Sequence, residues 1–357
     1  MKLSIVIPFH QYKHYLAECL HSLSDSSFHD FEVILVKDQV FENIDDLVEE
    51  YGKKYELRVL ELIGKHGVAA ARNLGISESK GDYIYFLDSD DYVLENTLDS
   101  LMSAHREEVE VIYGGIHNTW NKKINYLEKR AAKLEDIDEE SALLTAQNKQ
   151  AKYGKYLENC QRLKFDSTEE KIEAIYHIFK KRRGFRNLTS LSNAYRKTFL
   201  NEKEIRFDES LTYYSDIVFI MEVLQKAKYF GGNEEAIYVK RKHNDPINYP
   251  ALVQIEDENR FAERMEAFEK ARKVVAEKSL LRYLLDRRIV FYYVERFSPR
   301  LRRSEKPQWR NEYFPMFSEV MKGCDERVIS DLNNWQKKMV EALIHNDLNA
   351  ALKTDSK

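Results

Sequence analysis

Residues 67–91 read GVAAARNLGISESKGDYIYFLDSDD. A helical segment over 67–78 leads into the apolar run DYIYFL at 82–87, and three carboxylates, Asp88, Asp90 and Asp91, follow at once. A short, nearly continuous apolar run of this kind predicts a strand covered on both faces. Toward the N-terminus, Leu3–Pro8 and Phe31–Val36 (FEVILV) are two more such runs, and Arg58–Ile63 is a fourth. Between the first two, Tyr15, Leu16, Cys19, Leu20 and Leu23 recur at helical spacing, and Ile44–Tyr51 reads as a further helix. Strands alternating with helices across short joins predict a parallel α/β sheet of Rossmann type through about residue 115.

Downstream the pattern changes. Residues 120–185 are charged and helical in spacing, as in an inserted or acceptor-side region. A mixed segment over 186–249 carries a helix at Ile217–Lys228 and a strand at Ala236–Lys240. From 254 onward the reading is helical, with Phe261, Met265, Phe268 and Val275 on one face and prolines as punctuation. The expected organisation is therefore 1–115, 116–250 and 251–357, the last a helical extension serving assembly or acceptor binding.

Composition narrows the function. The chain has 357 residues and a net charge of −4, which is not the balance of a generic nucleic-acid binder. The charge is uneven: residues 1–100 hold 9 basic and 19 acidic side chains, so any basic partner surface lies later. A hydrophobic share of 43% supports a real core, which excludes wholesale disorder. Three widely spaced cysteines, Cys19, Cys160 and Cys324, suit a reducing compartment and no zinc site, and they read as buried small hydrophobes. No apolar run approaches the ~18 residues of a membrane span, and the first residues lack a secretion signal. The expectation is a cytosolic protein.

The chemistry concentrates at strand ends. Ligands of open α/β sheets bind outside the carboxyl ends of the strands, where Pro8-Phe9-His10, Asp38, Arg72 and Asp88–Asp91 would converge. Three carboxylates within four residues repel one another unless a cation sits among them. A hard divalent ion meets that need and would also neutralise a diphosphate leaving group. The alternative is an acidic turn capping a helix that starts near Leu94.

The segments SIVIPFHQYKHYLAECLHSL (4–23), FEVILVKD (31–38), 67–91 and, later, FDESLTYYSDIVF (207–219) together resemble the inverting GT-A glycosyltransferases of the large family 2 type. That family includes bacterial cell-surface polysaccharide, teichoic acid and capsule glycosyltransferases. The resemblance implies an α/β GT-A domain, a Rossmann-like nucleotide-diphospho-sugar transferase, with a helical C-terminal extension. It implies a UDP-sugar donor, Mn²⁺ or Mg²⁺, and a glycan or polyol-phosphate polymer as acceptor, lipid-linked or free. By the same resemblance, Pro8, Phe9 and His10 line the nucleotide pocket and Asp38 bonds the nucleobase. Arg72 acts near the base and the acidic motif, Asp88 approaches ribose or metal, and Asp90 binds the metal. The sequence departs from the family at Lys37-Asp38-Gln39-Val40 and at Lys65, both on the nucleotide side.

An inverting transfer needs a carboxylate to deprotonate the acceptor hydroxyl from the far face of the sugar. The family position for that base falls on Ser215-Asp216, so Asp216 is the candidate, expected to lie away from Asp88–Asp91. An ordinary helix cap is the other reading of Asp216, and Asp208 and Glu209 are competitors. Tyr213 and Tyr214 flank the position and would suit a sugar ring. Arg241 (or Lys240) would neutralise the leaving group and His243 would ligate metal or phosphate, unless this is a solvated basic loop. The basic run Lys180–Arg183 with Arg186, and the aromatic-basic run 287–303, read as solvated helix faces or as contacts to an anionic polymer or lipid head group; the second also reads as helical core. Peripheral contact with the inner face of the membrane and homo-oligomerisation through the extension follow as expectations. Two rivals remain: a nucleotidyltransferase, for which Pro8–Tyr12 offers no glycine-rich phosphate cradle, and a non-catalytic polymer-binding GT-A module.

Overall fold

The structure, a computed structural model, describes residues 1–120, 168, 171–172, 174–175, 189–243 and 259–353. Most of the expected helical region at 120–185, with the basic run Lys180–Arg183, Arg186 and Cys160, lies outside the described residues.

The first half follows the alternation seen in the sequence. It runs β1 (Leu3–Phe9), α1 (Lys13–Ser24), β2 (Phe31–Lys37), α2 (Asp45–Gly52), β3 (Glu56–Glu61), α3 (Val68–Glu78) and β4 (Tyr83–Phe86). Then come β5 (Tyr92–Val93), α4 (Thr97–Met102), β6 (Val111–Trp120), β7 (Asn193–Arg196), α5 (Lys197–Glu202), α6 (Ser215–Lys226) and β8 (Phe230–Lys242). The C-terminal part is helical, as expected: α7 (Asn259–Val274), α8 (Leu280–Tyr292), α9 (Ser298–Arg303), α10 (Phe314–Lys322), α11 (Glu326–Ser330), α12 (Asn334–Ile344) and α13 (Leu348–Lys353), with π-helical turns at Tyr293–Phe297 and Trp309–Tyr313.

One eight-stranded sheet has the order β3-β2-β1-β4-β7-β6-β8-β5. Strands β3, β2, β1 and β4 are parallel; the apolar residues of β2, β1 and β4 are buried, whereas β3, at the sheet edge, is half-buried and leaves Val59 exposed. With the strands beyond residue 115 the sheet becomes mixed: β7 runs antiparallel between β4 and β6, and β5 antiparallel to β8. The chain switches sides of the sheet between β1 and β4, so the crevice beyond their carboxyl ends is the ligand position of an open α/β sheet. Helix α3 can lie close to β1 because residue 75 is glycine; a Cβ there would come within 2.2 Å of the Val6 side chain.

The helical extension shares the core of the sheet domain. Ile5, Leu20 and Phe86 belong to the same continuous buried cluster as Phe219 of α6 and as Phe268, Leu284 and Phe317 of the extension. Three of the four aromatic residues of the run 287–303, Tyr292, Tyr293 and Phe297, are part of it as well and serve as core, while Phe291 is half-buried with Arg287 over its ring. Cys19 and Cys324 are buried thiols.

Candidate active site

The acidic residues sit where β4 ends. Strand β5 turns back to pair with β8, Tyr92 opposite Val239 and Val93 opposite Tyr238. That pairing lays the end of β8 across the Asp88–Asp91 turn. Asp91 is buried and accepts from the Tyr238 hydroxyl and the Arg241 backbone N–H, each at 2.6 Å. Lys240 Nζ lies 3.7 Å from Asp88 and 3.8 Å from Asp91. Asp90 Oδ2 is 2.9 Å from Nε2 of the buried His243.

These neighbours set the charges. Burial pushes the Asp88 carboxyl up, but Arg72 and Lys240 outweigh it and hold it below the usual carboxylate range. Burial drives Asp91 the other way, to about 8 despite Lys240, with the charges of Asp90 and Asp88 adding to the rise. Lys240 would be discharged by burial, but Asp91, Asp88 and Asp90 hold its proton firmly.

The donor set fits a divalent cation at one corner. Ligand oxygens of Asp88, Asp90 and Asp91 lie within 4.8 Å of one another. Asp91 is committed to internal partners, and Asp88 faces Arg72 and Lys240. Asp90, with its side chain 33% exposed, holds a carboxylate oxygen 2.9 Å from the His243 imidazole nitrogen, and the carboxylates of this corner are ligands that suit Mn²⁺ or Mg²⁺.

Arg72, buried on α3, joins this turn to the second half of the chain. Its Nη2 donates to Asp88 Oδ1 at 2.7 Å and its Nη1 to Asp216 Oδ1 at 3.1 Å. Burial would lower its pKa, but Asp216 and Asp88 raise it, so the guanidinium stays charged. Asp216, near the start of α6, also accepts at Oδ1 from the Ser190 backbone N–H at 3.1 Å and the Ser190 hydroxyl at 2.5 Å. All three donors converge on one oxygen. Among the described residues none donates to Oδ2, and the side chain keeps 24% exposure. Asp216 therefore lies one guanidinium away from Asp88, not on a remote face as expected from the sequence.

The competitors are engaged elsewhere. Asp208 pairs with Lys270 at 2.9 Å, and Glu209 with Lys65 at 3.2 Å and the Asn73 amide at 2.9 Å. A shallow groove of about 530 Å³, lined by Lys65, Asn73 and residues 206–210, opens beside Glu209 and not over the acidic turn.

On the nucleotide side, three of the residues expected to bind the donor have partners or burial of their own. Phe9 is 1% exposed and points into the core, because alternate residues of a strand face opposite sides; of the three, only Pro8 and His10 reach the surface. Both carboxylate oxygens of Asp38 are taken: one lies 2.6 Å from His66 Nδ1, and the other accepts from Gly67 N at 2.7 Å. Gly67, at φ +102°, opens α3 in a conformation glycine tolerates, so Asp38 fixes the start of the helix that carries Arg72. Arg241 is buried, paired with Glu18 at 2.6 Å and with the Asp90 carbonyl at 2.8 Å, and packed over Tyr15. A buried guanidinium must be paired, and here the protein supplies the partners. It braces the acidic turn. Ser190 was missed in the sequence, where no motif marks it.

Comparisons with known proteins agree with this architecture. Residues 4–165 match the family model of glycosyl transferase family 2. Glycosyltransferase GlyG of Streptococcus pneumoniae is 34% identical over 118 residues, covering 32% of this chain and 39% of that protein. Poly(ribitol-phosphate) beta-N-acetylglucosaminyltransferase TarS of Staphylococcus aureus is 24% identical over 344 residues, 93% of this chain and 52% of TarS. The chain thus spans about half the length, or less, of these curated relatives. The crystal structure of S. aureus TarS 1–349 in complex with UDP-GlcNAc superposes with a TM-score of 0.69 at 17% identity, covering 99% of this chain and 90% of that one. Without ligand the TM-score is 0.67 at 18% identity, over 99% and 89%. At such identity the likeness is one of fold. The resemblance to family 2 glycosyltransferases is therefore present in sequence over residues 4–165 and in fold over nearly the whole chain, a Rossmann-like GT-A architecture with a helical C-terminal region.

Proposed function

For a chain that resembles family 2 glycosyltransferases in both sequence and fold, we propose a metal-dependent inverting glycosyltransferase. It moves a sugar from a UDP-sugar to a hydroxyl of a cell-surface glycopolymer. The observation that carries the reading is the Asp88–Arg72–Asp216 bridge, which puts an acidic strand end and a candidate base on one guanidinium. The proton of the acceptor hydroxyl passes to Asp216 Oδ2, the hydroxyl oxygen bonds to the anomeric carbon, and the bond from that carbon to the diphosphate breaks. Asp90 and His243 would hold Mn²⁺ or Mg²⁺, with Asp88 beside them, and the bound ion supplies neutralisation of the diphosphate. Lys240, charged and close to the same carboxylates, adds positive potential there.

The names of the relatives narrow the test. TarS is named for N-acetylglucosamine transfer to poly(ribitol phosphate), so UDP-GlcNAc and a polyol-phosphate polymer are the first donor and acceptor to try. Among the described residues no helix is long and apolar enough to cross a membrane. We place the reaction in the cytoplasm, at the inner membrane face, where UDP-sugars and lipid-linked polymers meet. UDP release and polymer labelling with UDP-GlcNAc and Mn²⁺ test the proposal. Asp90→Asn should lower turnover at least about 100-fold with the fold retained. Full activity in excess chelator would overturn the metal dependence.

A further inference from the structure

The loop that leads to Asp216 is held from outside by α7, an element beyond the stretch that matches the family. Glu263 Oε1 accepts from the backbone N–H groups of Tyr213, at 2.5 Å, and Tyr214, at 3.1 Å. Arg264 donates to the Tyr214 hydroxyl at 2.5 Å, and its guanidinium carbon lies 4.4 Å from the centre of the Tyr214 ring. Arg260 lies 4.9 Å from the Tyr213 ring centre, and Lys270 reaches the Ser210 hydroxyl at 2.6 Å and Asp208 at 2.9 Å. Four side chains at one helical face of α7 thus fasten residues 208–214.

Tyr214 precedes α6 and makes no side-chain cap; its carbonyl accepts from Ile217 N at 3.1 Å, and its own N–H is bound by Glu263. The two backbone N–H groups bound by Glu263 lie only two and three residues before Asp216. A carboxylate there also faces the positive end of α6. Both tyrosines, which the sequence offered as sugar platforms, are instead packed under arginines of α7.

We infer that Glu263 is a positioning residue: by binding the backbone of Tyr213 and Tyr214 it sets where α6 begins and so where Asp216 meets the acceptor. The inference rests on Asp216 being the base, whereas the latch itself is physical and separately measurable. A misplacement of about 1 Å at a reacting group can cost on the order of 100-fold in rate.

The test uses the full chain with Glu263→Ala and Glu263→Gln. Glutamine keeps an oxygen that can accept from the same two N–H groups; alanine does not. In Glu263→Ala the Tyr213 and Tyr214 amides should exchange hydrogen at least about tenfold faster while those of β1 and β4 stay as they are. Transfer kcat should fall about 10- to 100-fold with the KM for UDP-sugar within about twofold. Glu263→Gln should restore both readouts most of the way. Unchanged exchange in Glu263→Ala, or Glu263→Gln impaired as much as Glu263→Ala, would overturn the inference. If Asp216→Ala retained transfer, the base assignment would fall, and the exchange measurement would still decide the latch.

Discussion

At the scale of the residue, Asp216 is defined by its donors. Arg72 and both donors of Ser190 fall on one oxygen, and among the described residues none donates to the other. Ser190→Ala removes the shortest of the three bonds, to a charged acceptor, worth about 1.5–3 kcal/mol. Transfer by that variant should drop about tenfold or more in kcat, with donor binding unchanged by calorimetry. Arg72→Lys should be worse, because an ammonium cannot span Asp88 and Asp216 as a planar fork does; equal activity would remove the bridge from the account. Asp88 and Asp90 were legible in the sequence because they follow an unmistakable apolar strand, and Asp216 because its segment resembles the family's base position ahead of an apolar helix. Ser190 and Glu263 were not. A residue whose role is to donate or accept across the fold leaves no periodic mark, and its partner lies 26 or 50 positions away.

At the scale of the element, β8 shows where sequence patterning stops. The apolar core of the strand, Ala236–Lys240, was readable, yet the strand runs from Phe230 to Lys242 through a glycine pair and charged residues. Its two-sided pairing with β6 and β5 delivers Lys240, Arg241 and His243 to the acidic turn. Strands β5 and β7 are too short, at 2 and 4 residues, to carry a pattern of their own. The helical extension was legible as helix but not in its attachment. Helix α7 packs against α6, while its buried Phe261 and Phe268 pack on Phe297, Tyr313 and Tyr292 of the extension, all within the common core. Deleting residues 259–357 should therefore expose one face of α6 and abolish cooperative melting, seen by circular dichroism. A truncated protein that melts cooperatively and still binds UDP-sugar would show the extension to be a separable appendage.

At the scale of the whole molecule, buried charge couples stability to pH. The Glu32 side chain is fully buried and accepts from Ser4 Oγ at 2.7 Å, Lys80 N at 2.6 Å and Arg58 at 3.1 Å, tying β2 to β1, β3 and the turn before β4. Burial would raise its pKa, but these donors hold it below the usual value of 4.5. A group depressed in the folded state stabilises the protein above its unfolded pKa and loses that contribution as pH falls through its folded pKa. Glu32→Gln should cost about 1.5–3 kcal/mol at pH 7, and its melting temperature should fall less steeply than wild type below about pH 4.5. Parallel acid limbs in thermal melts would contradict this.

The central claim, that the two halves of the chain meet to transfer a sugar with Asp216 as base, is tested most directly by one paired measurement on Asp216→Ala. UDP-GlcNAc affinity is titrated calorimetrically with Mn²⁺, and labelling of a poly(ribitol phosphate) acceptor is followed in the same preparation. General-base assistance is worth about 10²–10⁴-fold, so affinity should stay within about threefold of wild type while transfer falls by at least about 100-fold. Near-normal transfer by Asp216→Ala, with Asp208→Ala or Glu209→Ala abolishing it, would contradict the account.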